Sequence, residues 1–156
     1  MVDDVLINKA AIIERCVQRA RDEFEKDPGS FSADCSRQDA AILNVLRACE
    51  AALSMGQHLI WRERLGVPQS NHDVFALLAR AGRIDSALVS PLQNMVEFRK
   101  IALHDDQELQ LSMIVAVVTC HLGDFTEYSR QMLLSDEGEL LVSSLQTLSD
   151  TDAIDD

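Results

Sequence analysis

Apolar residues recur every three or four positions along most of this chain, and that spacing restricts it to helices. In VLINKAAIIERCVQRARDEFE (5–25) they fall at 6, 10, 13, 17, 20 and 24, one face of an amphipathic helix. KDPGSFSAD (26–34) breaks the pattern at Pro28-Gly29, the mark of a loop. A second stripe at 42, 46, 49, 53, 56 and 60 runs through residues 36–66, and Gly66, two residues before Pro68, reads as the helix stop. SNHDVFALLARAG (70–82) is a short helix with Ser70 or Asn71 as its cap and Gly82 as its terminator. Two more periodic segments follow. One, at 85–103, turns Leu88, Leu92, Met95, Phe98 and Ala102 to one side, and the other, at 107–134, turns Leu111, Ile114, Val118, Leu122 and Phe125 inward.

With three prolines, six glycines and 47% apolar residues in 156, the expected fold is all-α, an up-and-down four-helix bundle with an extra short helix. A single domain of this length buries about 70% of its unfolded surface. The expected domain spans 1–135. Residues 136–156, rich in Ser, Thr and Asp, are expected to form an acidic, disordered tail. No basic, apolar leader opens the sequence, and its longest apolar run, MIVAVV (113–118), is too short to cross a bilayer. The expected location is the cytoplasm, away from membranes. Cys16, Cys49 and Cys120 lie in periodic segments, where a buried reduced thiol is expected, and Cys35 falls outside them. The histidines, at 58, 72, 104 and 121, have no metal-ligand spacing, so neither metal nor cofactor is expected.

A net charge of −12 argues against strong nonspecific binding of nucleic acid. Its distribution softens the objection. Residues 131–156 hold seven acids and no base, leaving 19 acids against 14 bases in the rest of the chain. A local basic cleft is compatible with that balance.

One stretch concentrates chemistry. MVEFRKIALHDDQEL (95–109) places Arg99 and His104 at the seam between two apolar segments. On one unbroken helix the two would point about 140° apart. A helix ending between them, with Asp105 and Glu108 as a capping box for the next, would let both face one cleft. Arg99 offers a planar cationic fork for phosphate oxygens, and His104 an imidazole for general base work. That pair suits RNA cleavage by the neighbouring 2′-OH, which leaves DNA resistant. The plainer alternative has His104 as a helix-end residue and Arg99 paired with Glu97 or Asp105.

The stretch VPQSNHDVFALLARAGRIDSALVSPLQNMVEFRKIALHDDQEL (67–109) resembles the HepT-like branch of the HEPN ribonuclease toxins, whose pattern includes M-V-G-F-R-N-x-x-V-H-x-Y. The resemblance extends over roughly 5–130. It implies a HEPN bundle forming a homodimer, with Arg99 and His104 of both protomers at one cleft acting on single-stranded RNA. It also implies the toxin half of a toxin–antitoxin pair whose other half is a nucleotidyltransferase. Two positions depart from the pattern. Lys100 stands where asparagine is usual, and Asp106 where the family has the tyrosine that receives AMP. Lys100 would add a phosphate contact, whereas Asp106 would repel one. A HEPN dimer weakened as a catalyst and kept as a protein-binding module is the second expectation.

His58 and Arg62, four apart on one helical face, are candidates to line the cleft from the second helix or to form an ordinary solvated face. Arg64, Arg80 and Arg83 are candidates for steering RNA. Trp61 is expected in the core or at a dimer interface rather than as a platform for bases.

Overall fold

The computed structural model describes residues 3–104 and 109–154. Among them there is no strand, and the helices fall in the expected order. They are α1 (Asp4–Glu25), α2 (Cys35–Glu63), the short α3 (Asn71–Arg80), α4 (Val89–His104), α5 (Leu111–Ala116) and α6 (Leu122–Ile154). A π-helical segment, Val117–His121, joins α5 to α6. There the Thr119 hydroxyl donates to the Val115 carbonyl at 2.7 Å, a side-chain bond of the kind that loosens a regular helical ladder. No helix among the described residues is long and apolar enough to cross a membrane.

α1 and α2 pair as a helical hairpin, and Arg37 fastens the turn between them. Its guanidinium donates to the carbonyls of Glu23, Phe24 and Asp27 and to the Ser30 hydroxyl. These include carbonyls that the end of α1 leaves without helical partners. Asp34 caps α2 by accepting from the Arg37 amide at 3.2 Å. On α1 the stripe is as expected, with Leu6, Ala10, Ile13, Val17 and Ala20 buried.

α2 is the centre of the bundle, touching α1, α3, α4 and α6. It therefore buries more than one stripe. Its deepest line is Ala41, Val45, Ala48, Ala52, Met55 and Leu59, while Ile42 and Leu46 of the expected stripe are half-buried. Gly56 lets α3 and α6 come close. A β-carbon there would stand 2.6 Å from a Val74 methyl and 2.9 Å from the Tyr128 hydroxyl. Tyr128 is fully buried, with its ring set edge-on to Phe75 at 5.5 Å.

Several boundaries differ from expectation. α2 ends at Glu63, and the left-handed residue that closes it is Arg64 (φ 55°) rather than Gly66. In the fifth segment Leu109 and Gln110 are not helical and α5 begins at Leu111, and the expected Asp105–Glu108 capping box lies outside the described residues. The expected disordered tail is instead helix as far as Ile154. No proline interrupts it, and serine, threonine and aspartate weaken a helix by only a few tenths of a kcal/mol each, roughly, without breaking it. Asp136, at the start of that segment, is 3% exposed and belongs to the folded body. Cys16 and Cys49 are buried as expected, but Cys120 is exposed, as is Cys35.

Candidate functional site

α4 carries Arg99 and His104 on one continuous helix. Nothing in RKIALH breaks it, so the expected helix end between the two residues is not found. Five positions turn the chain about 140° and advance it about 7.5 Å. Within one protomer the two side chains therefore leave α4 in different directions. Arg99 follows the buried Met95, Val96 and Phe98, and only 23% of its side chain is exposed. Its guanidinium meets Glu50 of α2 at 3.3 Å and not the expected Glu97, while Asp105, the other expected partner, lies outside the described residues. His104 is the last described residue of α4 and is exposed.

Arg99 borders a cleft of about 530 Å³ between α1, α2 and α4. Lys9, Arg15 and Arg19 line it from α1 and Arg47 from α2, with Glu50 the one acid among the described residues of its wall. Five cations against one carboxylate, in a chain of net charge −12, make this an electropositive hollow in an acidic molecule. Periodicity explains how it forms. Lys9, Ile12, Cys16 and Arg19 are spaced by three and four, as are Arg47, Glu50, Ser54 and Gln57, so each helix turns one row into the groove. The α1 and α2 basic residues were legible only as polar faces, because nothing in the sequence says which two faces meet.

The other proposed residues are placed differently. Lys100, one position past Arg99, points to the outer side of α4 and pairs with Glu97 at 3.5 Å. Glu97 also meets His72 at 3.0 Å. Asp106 lies outside the described residues. His58 and Arg62 do not line the cleft. They belong to an ion cluster that ties α2 to the start of α1 and to α6. His58 meets the Asp3 carboxylate at 2.7 Å. Arg62 bridges Asp3 at 2.9 Å, Glu63 at 2.9 Å and Asp136 at 2.5 Å. Burial raises the Asp3 pKa, but hydrogen bonds from His58, Arg62 and the Val5 amide outweigh it and hold the carboxyl at about 2. Burial likewise disfavours the Arg62 cation, and Asp136, Glu63 and Asp3 more than restore it.

Arg83 is 5% exposed and donates to Glu63 at 3.0 Å, so it is part of the folded interior and not a guide for RNA. Trp61, expected in the core or at an interface, is 79% exposed, which removes it from the core. Tyr128, the one tyrosine in the chain, donates its hydroxyl to the Ala52 carbonyl at 2.7 Å. Beneath the cleft, burial pushes the Cys49 thiol up to about 12 against a smaller downward pull from Arg99. Among the described residues no group of three histidines, cysteines or acids is arranged to hold a metal.

The all-helical fold is that of HEPN toxins, and similarity to known proteins identifies the branch. The ribonuclease HepT-like family model matches residues 10–132. The mRNA nuclease HepT of Shewanella oneidensis is 42% identical over 127 residues, covering 81% of this chain and 95% of the relative. Among solved structures, a toxin–antitoxin complex with AMP-PNP matches with a TM-score of 0.79 and 41% identity, over 83% of this chain and 98% of the other. The tri-AMPylated HEPN toxin of Shewanella oneidensis, in complex with MNT antitoxin, matches with a TM-score of 0.79 and 41% identity, over 83% and 97%. The chain belongs to the ribonuclease HepT-like family.

Proposed function

We propose that this protein is the ribonuclease toxin of a HepT-type toxin–antitoxin pair, a metal-independent endonuclease that cuts single-stranded RNA with Arg99 and His104. The observation that carries the reading is a motif arginine bordering a basic cleft in a chain that is 42% identical to an mRNA nuclease over nearly all of that relative's length. His104 takes the proton of a ribose 2′-OH. The 2′-oxygen then attacks phosphorus, the P–O5′ bond breaks, and the departing 5′-oxygen takes up a proton from solvent or a second imidazole. Arg99 stabilises the charge that gathers on the phosphoryl oxygens. The products are a 2′,3′-cyclic phosphate and a 5′-hydroxyl, and no step calls for a metal ion.

The divergence of Arg99 and His104 along α4 is the reason for a homodimer. Two copies of α4 facing each other across a twofold axis supply two arginines and two histidines to one cleft, so that a phosphodiester finds both groups without either helix bending. The partner in control is a nucleotidyltransferase antitoxin of the MNT type. Asp106 has no phenol, and Tyr128 is buried with its hydroxyl engaged. Control of this chain therefore does not run through AMP on tyrosine, and occlusion of the cleft by the partner is the simpler route.

Purified protein should cut single-stranded RNA in excess EDTA, and His104→Ala should slow it by at least about a hundredfold. Full activity in that variant would remove His104 from the mechanism. Lys100 and Asp106 favour a second reading, in which the dimer is a binding module for the nucleotidyltransferase and has lost catalysis. Stable co-purification of the two proteins with no RNA cleavage under any condition would select it.

A further inference from the structure

The basic cleft does not end at Arg99. Gln57 of α2 and Asn71 at the start of α3 line it and also line a second hollow of about 580 Å³, whose wall includes Trp61, Val67 and Gln69. Along α2 the positions Arg47, Glu50, Ser54, Gln57 and Trp61 follow steps of three and four. They make one face about 21 Å long, cationic at one end and aromatic at the other. Among the described residues the side chains of Lys9, Arg15, Arg19, Arg47, Gln57 and Asn71 have no partner in the protein. Trp61 presents its ring to solvent at 79% exposure.

We infer that this face is a track for single-stranded RNA, with the backbone phosphates on Lys9, Arg15, Arg19 and Arg47 and a base stacked on Trp61. The inference rests on the nuclease reading and adds to it the path by which the strand reaches Arg99. Unpaired cations in a groove followed by an open aromatic ring are the two parts from which single-strand binding is built. The excess of cations in the cleft favours a polyanion over a protein partner. In the second hollow Gln57, Ser70 and Asn71 offer polar groups to base edges beside the apolar Ile60, Val67 and Pro68.

Trp61 is the only tryptophan in the chain, so its emission reports this site alone. The experiment titrates the full-length protein with a uniformly 2′-O-methyl single-stranded RNA, which has no hydroxyl to attack and is not cut. Binding should quench Trp61 emission. Read from the anisotropy of a dye-labelled copy of the same RNA, since neither variant has a tryptophan, Trp61→Leu should weaken binding by about five- to a hundredfold, the range for losing one stacked base, while Trp61→Phe keeps most of the affinity. Arg19→Ala and Arg47→Ala should each lower the slope of log affinity against log salt by about 0.7, the value for one phosphate contact on a single strand. RNA that binds without changing the emission, or Trp61→Leu with unaltered affinity, overturns the track. So does a Trp61→Leu variant whose oligomeric state changes while its RNA affinity does not, since Trp61 would then be an interface residue. The two readings fail separately. Wild-type cleavage with a silent Trp61 defeats the track alone, and quenching without cleavage of ordinary RNA defeats the nuclease alone.

Discussion

The two polar faces of α2 make opposite use of the same residue types. On one face His58 and Arg62 are consumed by Asp3, Glu63 and Asp136. On the other, Arg47 faces a cleft with Lys9, Arg15, Arg19 and Arg99, and Glu50 is the one acid there among the described residues. The first cluster is neutralised from three directions and holds α1, α2 and α6 together. The second keeps an excess of positive charge that folding leaves unspent. A charged side chain is available for function when the fold brings it too few counter-charges, and residue type alone does not decide that.

The contrast is sharpest in paired alanine variants. Arg99→Ala should reduce RNA cleavage by about a hundred- to a thousandfold, the cost of one preorganised donor to a developing oxyanion, with little change in melting temperature. Arg62→Ala should do the reverse. It strands Asp136, which is 3% exposed, at a cost of about 2–3 kcal/mol, which lowers the melting temperature by roughly 5–10 °C in a domain of this size. Cleavage per folded molecule should be unchanged. A thermal melt and an initial-rate assay on both variants separate the clusters, and any exchange of the two phenotypes would merge them.

Acid should also act on the first cluster. Asp3 has its carboxyl depressed from 3.8 to about 2 in the folded state. Its contribution to stability is therefore complete above pH of about 4 and disappears as pH falls from there towards 2. Melting temperature followed over that range should fall more steeply for the wild type than for Asp3→Asn. Equal slopes would mean the cluster is not coupled to folding. The smallest expected effect belongs to the cleft. Glu50→Gln removes the carboxylate facing Arg99 and frees it from an exposed pair worth about 0.2–1 kcal/mol, so affinity for an uncleavable RNA should rise up to about fivefold. Weaker binding would mean that Glu50 positions Arg99 and does not compete with RNA for it.

The same contrast marks how far the sequence could be read. α1 was legible almost to the residue, because it is buried on one side and its apolar stripe has a single phase. α2 was legible as a helix but not in phase, since neighbours on several sides leave it with more than one apolar stripe and the pattern cannot say which is deepest. His58 and Arg62 lie on one face by spacing, but their acceptors are at positions 3 and 136, beyond the reach of any local pattern. Asp136 shows what the sequence hides at the start of the expected tail, for its company of serines and acids resembles solvated chain until Arg62 is placed beside it. Arg99 and His104 were proposed through their motif. The continuous helix beneath them was not, because the spacing fits both a broken and an unbroken α4.

The most direct test of Arg99 and His104 as a 2′-hydroxyl-dependent nuclease is end-group analysis of a defined oligoribonucleotide cut in EDTA, beside a copy with a 2′-deoxy sugar at the cut site. A 2′,3′-cyclic phosphate and a 5′-hydroxyl from the first, with no cut at that position in the second, is the predicted result. A 5′-phosphate end, or equal cutting of the deoxy copy, would contradict it.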